Sequence, residues 1–222
     1  TFTLKGKIDR IDMDGRAAAI YDYKTGTPVA TLQEVVAGLK LQLLTYLLAV
    51  EEEGKGGLLP AALMYIYLSG DVKNMAAVPP GSQPPLPDKE SGSGWILDDP
   101  DVVKSLDSAV GTDDSILPLK FKKDGSLSSS TSLLSEEDFK NLLTIVKKNL
   151  LKIYRSMEEG HIEIRPVNYN NKIPCTWCPY HSICHFDPKA EGEGYEYIHL
   201  PPNKDLKKNL AELANEKEEH HE

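Results

Sequence analysis

Two stretches with strand-like alternation, separated by a turn, constrain the fold of this chain more than any other feature. Residues 2–12 alternate well enough to form a strand, residues 13–16 supply turn chemistry, and residues 17–25 have the pattern of a returning strand. We therefore predict a β-hairpin. With a turn there, residue i pairs with roughly residue 29 − i or 31 − i. Asp9 then lies opposite Asp22 or its close neighbours, and the two carboxylates can converge.

Asp22 and Lys24 are two residues apart on the second strand, so they project from the same face. Two convergent carboxylates suit a hard divalent cation such as Mg²⁺, which keeps several waters and takes phosphate oxygens as further ligands. A lysine beside them can orient the attacking water and neutralise charge that develops on phosphorus. The alternative is a surface hairpin with ordinary charges. The apolar run before Asp22 favours a function, because half-buried charges are costly unless they are paired or metal-bound.

The rest of the chain alternates helical and strand patterns, which predicts an α/β fold with a mixed central sheet flanked by helices. A capping box at 31–34 is followed by helical spacing up to Val50, which predicts a helix that ends at Gly54. We also predict a buried strand at 61–68 and a second helix at 135–160. Six prolines and a Ser-Gly-Ser-Gly run within 70–100 predict a mobile insertion at about 70–116. We predict one domain over 1–190, which includes a cysteine loop at 173–187, and a charged tail over 191–222.

Composition sets further bounds on function. The formal charge of this 222-residue chain is −9, but the acidic excess is concentrated at 70–116 (nine acidic, three basic residues) and at 187–222 (ten acidic, five basic). A phosphate-bearing substrate is therefore not excluded. No apolar run of about 18 residues and no leader peptide is visible, so no membrane association is expected. The glycines at 54–57 lack the spacing and the hydroxyl residue of a phosphate loop, so we expect no ATP site.

Three cysteines, Cys175, Cys178 and Cys184, form a C-x₂-C-x₅-C pattern. Thiolates this close in sequence can share one metal centre, and both zinc sites and iron–sulfur clusters use such loops. An odd number of clustered cysteines argues against disulfides and for a reducing compartment. Zinc could be completed by His181 or His185, whereas a cubane cluster normally needs a fourth cysteine. Three free thiols are the remaining interpretation.

Three motifs together resemble the PD-(D/E)xK nuclease superfamily, and more closely the RecB-type nuclease domains of bacterial recombination helicase–nucleases. They are Gly6-Lys-Ile-Asp9-Arg-Ile-Asp12, Asp22-Tyr23-Lys24-Thr-Gly26 and Gln42-x-x-x-Tyr46. The resemblance implies that Asp9 and Asp22 bind Mg²⁺ with help from the Tyr23 carbonyl, and that Lys24 serves the hydrolytic water. It also implies that Gln42 and Tyr46, which share one helix face at i, i+4, help fix the site and the DNA. For Tyr46, packing in the core is the alternative.

The segment 174–187, which contains the three cysteines, resembles the C-terminal cluster loop of AddB-type subunits of helicase–nucleases. This resemblance implies a [4Fe–4S] cluster held by Cys175, Cys178, Cys184 and a distant upstream cysteine, and a Mg²⁺ site completed by an upstream helical histidine. The chain begins at Thr1 without an initiator Met, so we interpret it as part of a longer protein that supplies both. We expect the cluster in the intact protein. In this chain alone, we expect the position either to be empty or to hold zinc.

The expected function is Mg²⁺-dependent exonuclease activity on DNA, in the bacterial cytoplasm, within an ATP-dependent helicase/deoxyribonuclease of double-strand break repair and recombination. The expected partners are a DNA strand delivered by the helicase and an AddA-like helicase–nuclease protein that hydrolyses ATP. Two other classes stay open. One is a catalytically inactive DNA-binding or scaffolding module with the nuclease fold, and the other is a zinc-stabilised interaction domain.

Overall fold

The computed structural model describes residues 2–25, 31–53, 57–68, 91–112, 115, 117–129, 132–190 and 194–216. Its centre is a sheet of five strands: β1 (Arg10–Asp14), β2 (Ala17–Lys24), β3 (Leu59–Tyr67), β4 (Ser91–Leu97) and β7 (Ser132–Leu134), in the order β1-β2-β3-β4-β7. The β1–β2 and β3–β4 pairs are antiparallel, whereas β2–β3 and β4–β7 are parallel. This mixed sheet confirms the predicted fold class.

Helices cover both faces of the sheet. The helices of the described residues are α1 (Leu32–Val36), α2 (Gln42–Glu53), α3 (Pro100–Leu106), α4 (Glu136–Glu158), α5 (His181–Cys184), which buries no residue, and α6 (Asn203–Asn215). Helices α1, α2, α4 and α6 share one apolar cluster, and α3 shares the other with the hairpin of β5 (Leu119–Phe121) and β6 (Leu127–Ser129). A final parallel pair joins β8 (Val167–Asn168) to β9 (Glu196–Tyr197). Within the described residues, no helix has the length and apolar character needed to span a membrane.

Strand β2 is buried on both faces, and its alternation sets the position of the charged residues at its end. Ile20 packs into the cluster beneath α1, α2, α4 and α6, whereas Ala19 and Tyr21 pack into the cluster beneath α3. Because side chains alternate along a strand, Asp22 and Lys24 lie on the Ile20 face. The strand therefore leaves the core with its charged end under helix α2.

The hairpin forms in one of the two expected registers. Arg10 pairs with Tyr21 and Asp14 pairs with Ala17, so paired residue numbers sum to 31. The turn is tighter than predicted and lies at Gly15 and Arg16. The first strand is also shorter than predicted, because residues 2–9 have no strand pairing.

The predicted long helix after the capping box is instead two helices. The hydroxyl of Thr31 accepts a hydrogen bond from Glu34 N (3.2 Å), so α1 begins where expected, but it ends after Val36. There Asn149 on α4 donates from Nδ2 to the carbonyl oxygens of Val35 and Val36 at 3.2 and 3.3 Å. A side chain thus takes the carbonyl groups that a continuing helix would use. The chain turns and begins α2 at Gln42, beside the end of β2. The predicted stop, Gly54, is outside the described residues.

Parts of the predicted insertion and of the predicted tail belong to the fold. Residues 69–90 lie outside the described residues, but the Ser-Gly-Ser-Gly run begins the interior strand β4. A Cβ atom on Gly94 would lie 1.9 Å from the carbonyl oxygen of Leu63, so glycine here permits a close approach of strands. In the tail, α6 packs on α1 and α4 and buries Leu206, Leu210 and Ala214.

Candidate active site

Two charged side chains end β2 on the face that α2 covers. Asp22 is only 3% exposed, and Lys24 Nζ lies 2.5 Å from its Oδ2 atom. The other oxygen, Oδ1, accepts a hydrogen bond from Gln42 Nε2 at 2.9 Å. The contact between Lys24 Nζ and Asp22 Oδ2 is short enough for an ion pair, but its angles are not those of a hydrogen bond. Within the described residues, the buried Oδ2 atom therefore accepts no aligned hydrogen bond. This oxygen keeps a lone pair available to a cation.

The amide of Gln42 links the charged groups in a single network. Its Oε1 atom accepts a hydrogen bond from Lys24 Nζ at 3.1 Å, while its Nε2 atom donates to Asp22 Oδ1 and to the hydroxyl of Tyr46, both at 2.9 Å. An ammonium group only donates and a carboxylate only accepts, so only one orientation of the amide satisfies both. Gln42 therefore fixes Asp22 and Lys24 relative to each other.

Tyr46 lies one helical turn after Gln42 and supports the amide. Its side chain is half-buried and packs against the apolar cluster of α1, α2, α4 and α6. The N-terminal segment also passes over it, since a Cβ on Gly6 would lie 3.1 Å from Tyr46 Cε1. From the sequence, core packing and a role in the site were alternatives for Tyr46. In the structure it both packs against the core and contacts Gln42.

Asp9 lies just before β1 and reaches the second strand through its side chain. Its Oδ2 atom accepts a hydrogen bond from the backbone N–H of Tyr23 at 3.0 Å. If the hairpin register is extended by one pair, Asp9 lies opposite Asp22, and opposed residues of an antiparallel pair share a face. The structure therefore places Asp9 beside the Asp22-Tyr23-Lys24 segment, in a solvent-exposed position.

Tyr65 is a neighbour of these residues that the sequence analysis missed. It pairs with Asp22 across the parallel β2–β3 ladder, and its ring centroid lies 5.4 Å from Lys24 Nζ. Burial, together with the nearby negative charge of Asp22, raises the pKa of the Tyr65 hydroxyl to about 12. The only sequence signal was its place in a buried strand, since the pairing of β2 with β3 is not visible in either strand alone.

The remaining charged pair of the first motif lies away from this network. Arg10 forms a bidentate contact with Asp12, with donor–acceptor distances of 2.9 and 2.6 Å. The guanidinium also lies over the ring of Tyr21, 5.1 Å from its centroid, and Tyr21 belongs to the α3 side of the sheet. The Asp12 hydrogen bonds raise the pKa of Arg10 above its usual value. This pair braces the hairpin on the opposite face.

The donor set at the end of β2 fits a hard cation. Asp22 Oδ2 is buried and accepts no aligned hydrogen bond, and the Asp9 carboxylate provides a second anionic oxygen donor nearby. No group of three or more His, Cys, Asp or Glu side chains among the described residues forms a complete metal cage. Mg²⁺ commonly uses one or two carboxylates and fills its octahedron with water and substrate phosphate, so two carboxylates match its requirements.

The three cysteine side chains line one cavity. Cys175 lies in a 3₁₀ turn at Pro174–Trp177, Cys178 follows it, and Cys184 ends α5. Together with His181 they line a cavity of about 270 Å³, and His185 is not among its lining residues. Among the described residues, which include these three cysteines, no group of three or more His, Cys, Asp or Glu side chains is placed to hold a metal ion. The cavity therefore gathers the donors of the predicted cysteine site in one place without closing a ligand set.

The chain is similar to known proteins over most of its length. A family model described as the PD-(D/E)XK nuclease superfamily matches residues 1–185. The chain is also similar to the B-type subunits of ATP-dependent helicase/deoxyribonucleases from several bacteria. The protein of Clostridium botulinum (strain Loch Maree) is 34% identical over 215 residues, covering 88% of this chain and 18% of the relative. That of Clostridium perfringens (strain SM101) is 33% identical over 231 residues, covering 96% and 19%. The chain thus spans about a fifth of the length of these relatives.

Proposed function

The chain belongs to the PD-(D/E)XK nuclease superfamily, and on that premise we propose that it is the Mg²⁺-dependent nuclease domain of an AddB-like subunit of an ATP-dependent helicase/deoxyribonuclease. The observation that carries the proposal is the network of Asp22, Lys24 and Gln42 at the end of a buried strand. Even a paired buried carboxylate can lose more free energy by desolvation than the ammonium group returns, so this pair indicates a use for both charges. Phosphodiester hydrolysis uses both.

The carboxylates of Asp22 and Asp9, with the backbone carbonyl of Tyr23, would hold the cation. When bound, Mg²⁺ supplies Lewis-acid polarisation of a phosphate oxygen and lowers the pKa of a water molecule. The protein's contribution is a rigid donor: Asp22 Oδ1 is held by Gln42, so Oδ2 has a fixed direction. The hydrogen bond from Tyr23 N restrains the Asp9 carboxylate in the same way.

Lys24 acts on the water and on the reacting phosphate. Its side chain is 37% exposed, so the ammonium group meets solvent on one side and the buried network on the other. One N–H is engaged by Gln42 Oε1, and the ammonium has three donors. In hydrolysis the water oxygen bonds to phosphorus and one P–O ester bond breaks. Lys24 orients that water and stabilises the negative charge that builds up on the phosphoryl oxygens.

The substrate and partners follow from the same proposal. The relatives are named as parts of a helicase/deoxyribonuclease, which supports DNA as substrate and a helicase as partner. We propose that an AddA-like protein hydrolyses ATP and delivers a DNA strand to this site during double-strand break repair and recombination. Because the relatives are bacterial, we assign this work to the bacterial cytoplasm.

We also propose that Cys175, Cys178 and Cys184 hold a [4Fe–4S] cluster with a fourth cysteine from outside this chain. The support is the shared cavity and the thiolate donor chemistry. Elemental analysis of the full-length protein tests this: iron with acid-labile sulfide supports the cluster. Zinc would contradict it and would favour a site that includes His181.

The nuclease proposal is tested with the full-length protein on end-labelled DNA, with and without Mg²⁺. Asp22→Asn should lower cleavage more than about 100-fold, because even partners of metal ligands contribute 10- to 100-fold. Asp12→Asn is the matched control, since it changes an aspartate of the same hairpin on the other face, and it should cleave at near wild-type rate. Normal cleavage by Asp22→Asn would contradict the proposal. A wild-type protein that binds DNA without any Mg²⁺-dependent cleavage would indicate an inactive scaffold.

A further inference from the structure

We propose that Tyr65 is a positioning residue for Lys24: its aromatic ring holds the ammonium group in place when the Oδ2 atom of Asp22 binds a cation instead of the lysine. The inference rests on the proposed nuclease function and deepens it. Tyr65 touches neither the water nor the phosphate in this proposal. It acts only through Lys24.

The position of Tyr65 follows from the sheet topology. Strands β2 and β3 are parallel, with Asp22 beside Tyr65 and Lys24 beside Tyr67. The ring of Tyr65 therefore lies beside Asp22 on the same face of the sheet, and Lys24 Nζ is 5.4 Å from its centroid. This is within the roughly 6 Å range of a cation–π contact. Tyr65 is 5% exposed, so the ring is fixed by its packing and the contact is shielded from water on the protein side.

Within the described residues, the Lys24 ammonium group makes three contacts, and they respond differently to a cation. The ion pair with Asp22 Oδ2 uses the same oxygen that is available to a metal, so the two compete. The hydrogen bond to Gln42 Oε1 persists, but it fixes only one N–H direction. The ring of Tyr65 attracts the charge without engaging a proton, and it is not a ligand of Mg²⁺. It leaves the remaining N–H groups free for water or phosphate.

The ring carries this role rather than the hydroxyl. The hydroxyl group takes a hydrogen bond from the backbone of Leu43 at the start of α2, on the protein side. A phenylalanine would keep the ring face toward Lys24 and lose only that bond. An aliphatic residue would keep the apolar packing but would lose the aromatic ring face that contacts Lys24. The two substitutions therefore separate positioning from core packing.

The experiment measures kcat, KM for single-stranded DNA, the half-saturating Mg²⁺ concentration and Tm in the full-length protein. Tyr65→Phe should keep kcat within about twofold, whereas Tyr65→Leu and Tyr65→Met should lower it about tenfold, the lower end expected for partners of site residues. The half-saturating Mg²⁺ concentration should change less than about twofold, because no oxygen ligand is removed. Leu63→Ala, on the same strand and face, is the control: it should lower Tm and leave kcat unchanged well below Tm.

A double-mutant cycle distinguishes the inference from its premise. In a Lys24→Ala background, Tyr65→Leu should lower the residual rate no further, because it acts through Lys24. Additive losses, or equal rates for Tyr65→Leu and Tyr65→Phe in an active enzyme that needs Lys24, would overturn the inference alone. If Lys24→Ala itself cleaves normally, the proposed function fails instead. If the measured Tm shows that Tyr65→Leu is unfolded at the assay temperature, Tyr65→Met is used in its place.

Discussion

The sheet site and the cysteine loop are assembled in different ways. Asp22 is 3% exposed and is fixed by Gln42 from a neighbouring helix, and its own strand lies in the interior of the sheet. In the cysteine loop, Cys178 and Cys184 are exposed, Cys175 is half-buried, and neither the 3₁₀ turn nor α5 contains a buried residue. The first site is held by the core, whereas the second is held by local turns.

This difference shows where each site obtains its order. The geometry at Asp22 is formed by folding, so removing a ligand side chain should change chemistry more than structure. The thiols lack such support, so a bound metal would supply much of their mutual order. Four predictions test this contrast, from the largest expected effect to the smallest.

The largest expected effect is the difference in cleavage rate between a variant of the sheet site and a variant of the cysteine loop. In the full-length protein, Asp22→Asn should reduce cleavage of a short oligonucleotide more than about 100-fold, with Tm nearly unchanged. Cys178→Ala should leave that rate within about twofold but lower the stability of the C-terminal segment and the binding of DNA ends. Cleavage rates, Tm and filter binding measure the three quantities. A Cys178→Ala protein as inactive as Asp22→Asn would show that the two regions are not separate.

Gln42→Ala should have the next largest effect. It removes the hydrogen bonds to Asp22 and Lys24 at once, and loss of such partners typically costs about 10- to 100-fold in activity or metal affinity. Steady-state cleavage as a function of Mg²⁺ concentration measures both. Tyr46→Phe is the milder companion, because it removes only the hydroxyl that Gln42 contacts. An unaffected Gln42→Ala enzyme would mean that the core does not orient the site.

The cysteine side chains should be modified readily while the domain stays folded. For the metal-free chain, pulse alkylation with mass spectrometry should label Cys178 and Cys184 at rates within about tenfold of those in urea, since exposed thiols need no unfolding to react. Cys175, which is half-buried, should react more slowly. In the full-length protein, which supplies the fourth cysteine, reconstitution with iron and sulfide should protect all three. Strong protection without any metal would remove the contrast with the sheet site.

The smallest effect concerns alkaline stability. Burial raises the pKa of Tyr65 from 10.0 to about 12 in the folded protein. Between these values the unfolded chain releases a proton that the folded chain keeps, so stability falls as pH rises. Tyr65→Phe should reduce that loss by at most about 1 kcal/mol between pH 10 and 11. Urea unfolding at both pH values measures it, with Tyr197→Phe, an exposed tyrosine, as the control.

The parts that the sequence predicted depend on local periodicity. The period of two placed Asp22 and Lys24 on one face, the turn placed Asp9 near them, and the i, i+4 spacing placed Gln42 beside Tyr46. The role of Tyr65 could not be predicted, because it requires knowing that β2 and β3 are parallel neighbours. The break between α1 and α2 was also missed, since it depends on Asn149, more than 100 residues away.

Helix α6 was missed for a compositional reason. Its charged residues resemble a solvated tail, and only three of its side chains are buried. A narrow apolar stripe on a charged helix is hard to distinguish from chance without the surface against which it packs. Strand β4 presented the opposite difficulty, because glycines that permit strand contact resemble those of a linker.

The packing of α6 has a consequence for the cysteine loop that precedes it. The loop leaves the body of the domain after α4, is joined at its base by the β8–β9 pair, and is followed by a helix that returns to the core. In polymer terms it is a closed ring with both ends anchored. The entropy of bringing those ends together is lost when the domain folds. The two ends of the loop are therefore already held together before any ligand joins the three thiols. Such a ligand has to order only the residues within the loop and does not have to hold a free chain end.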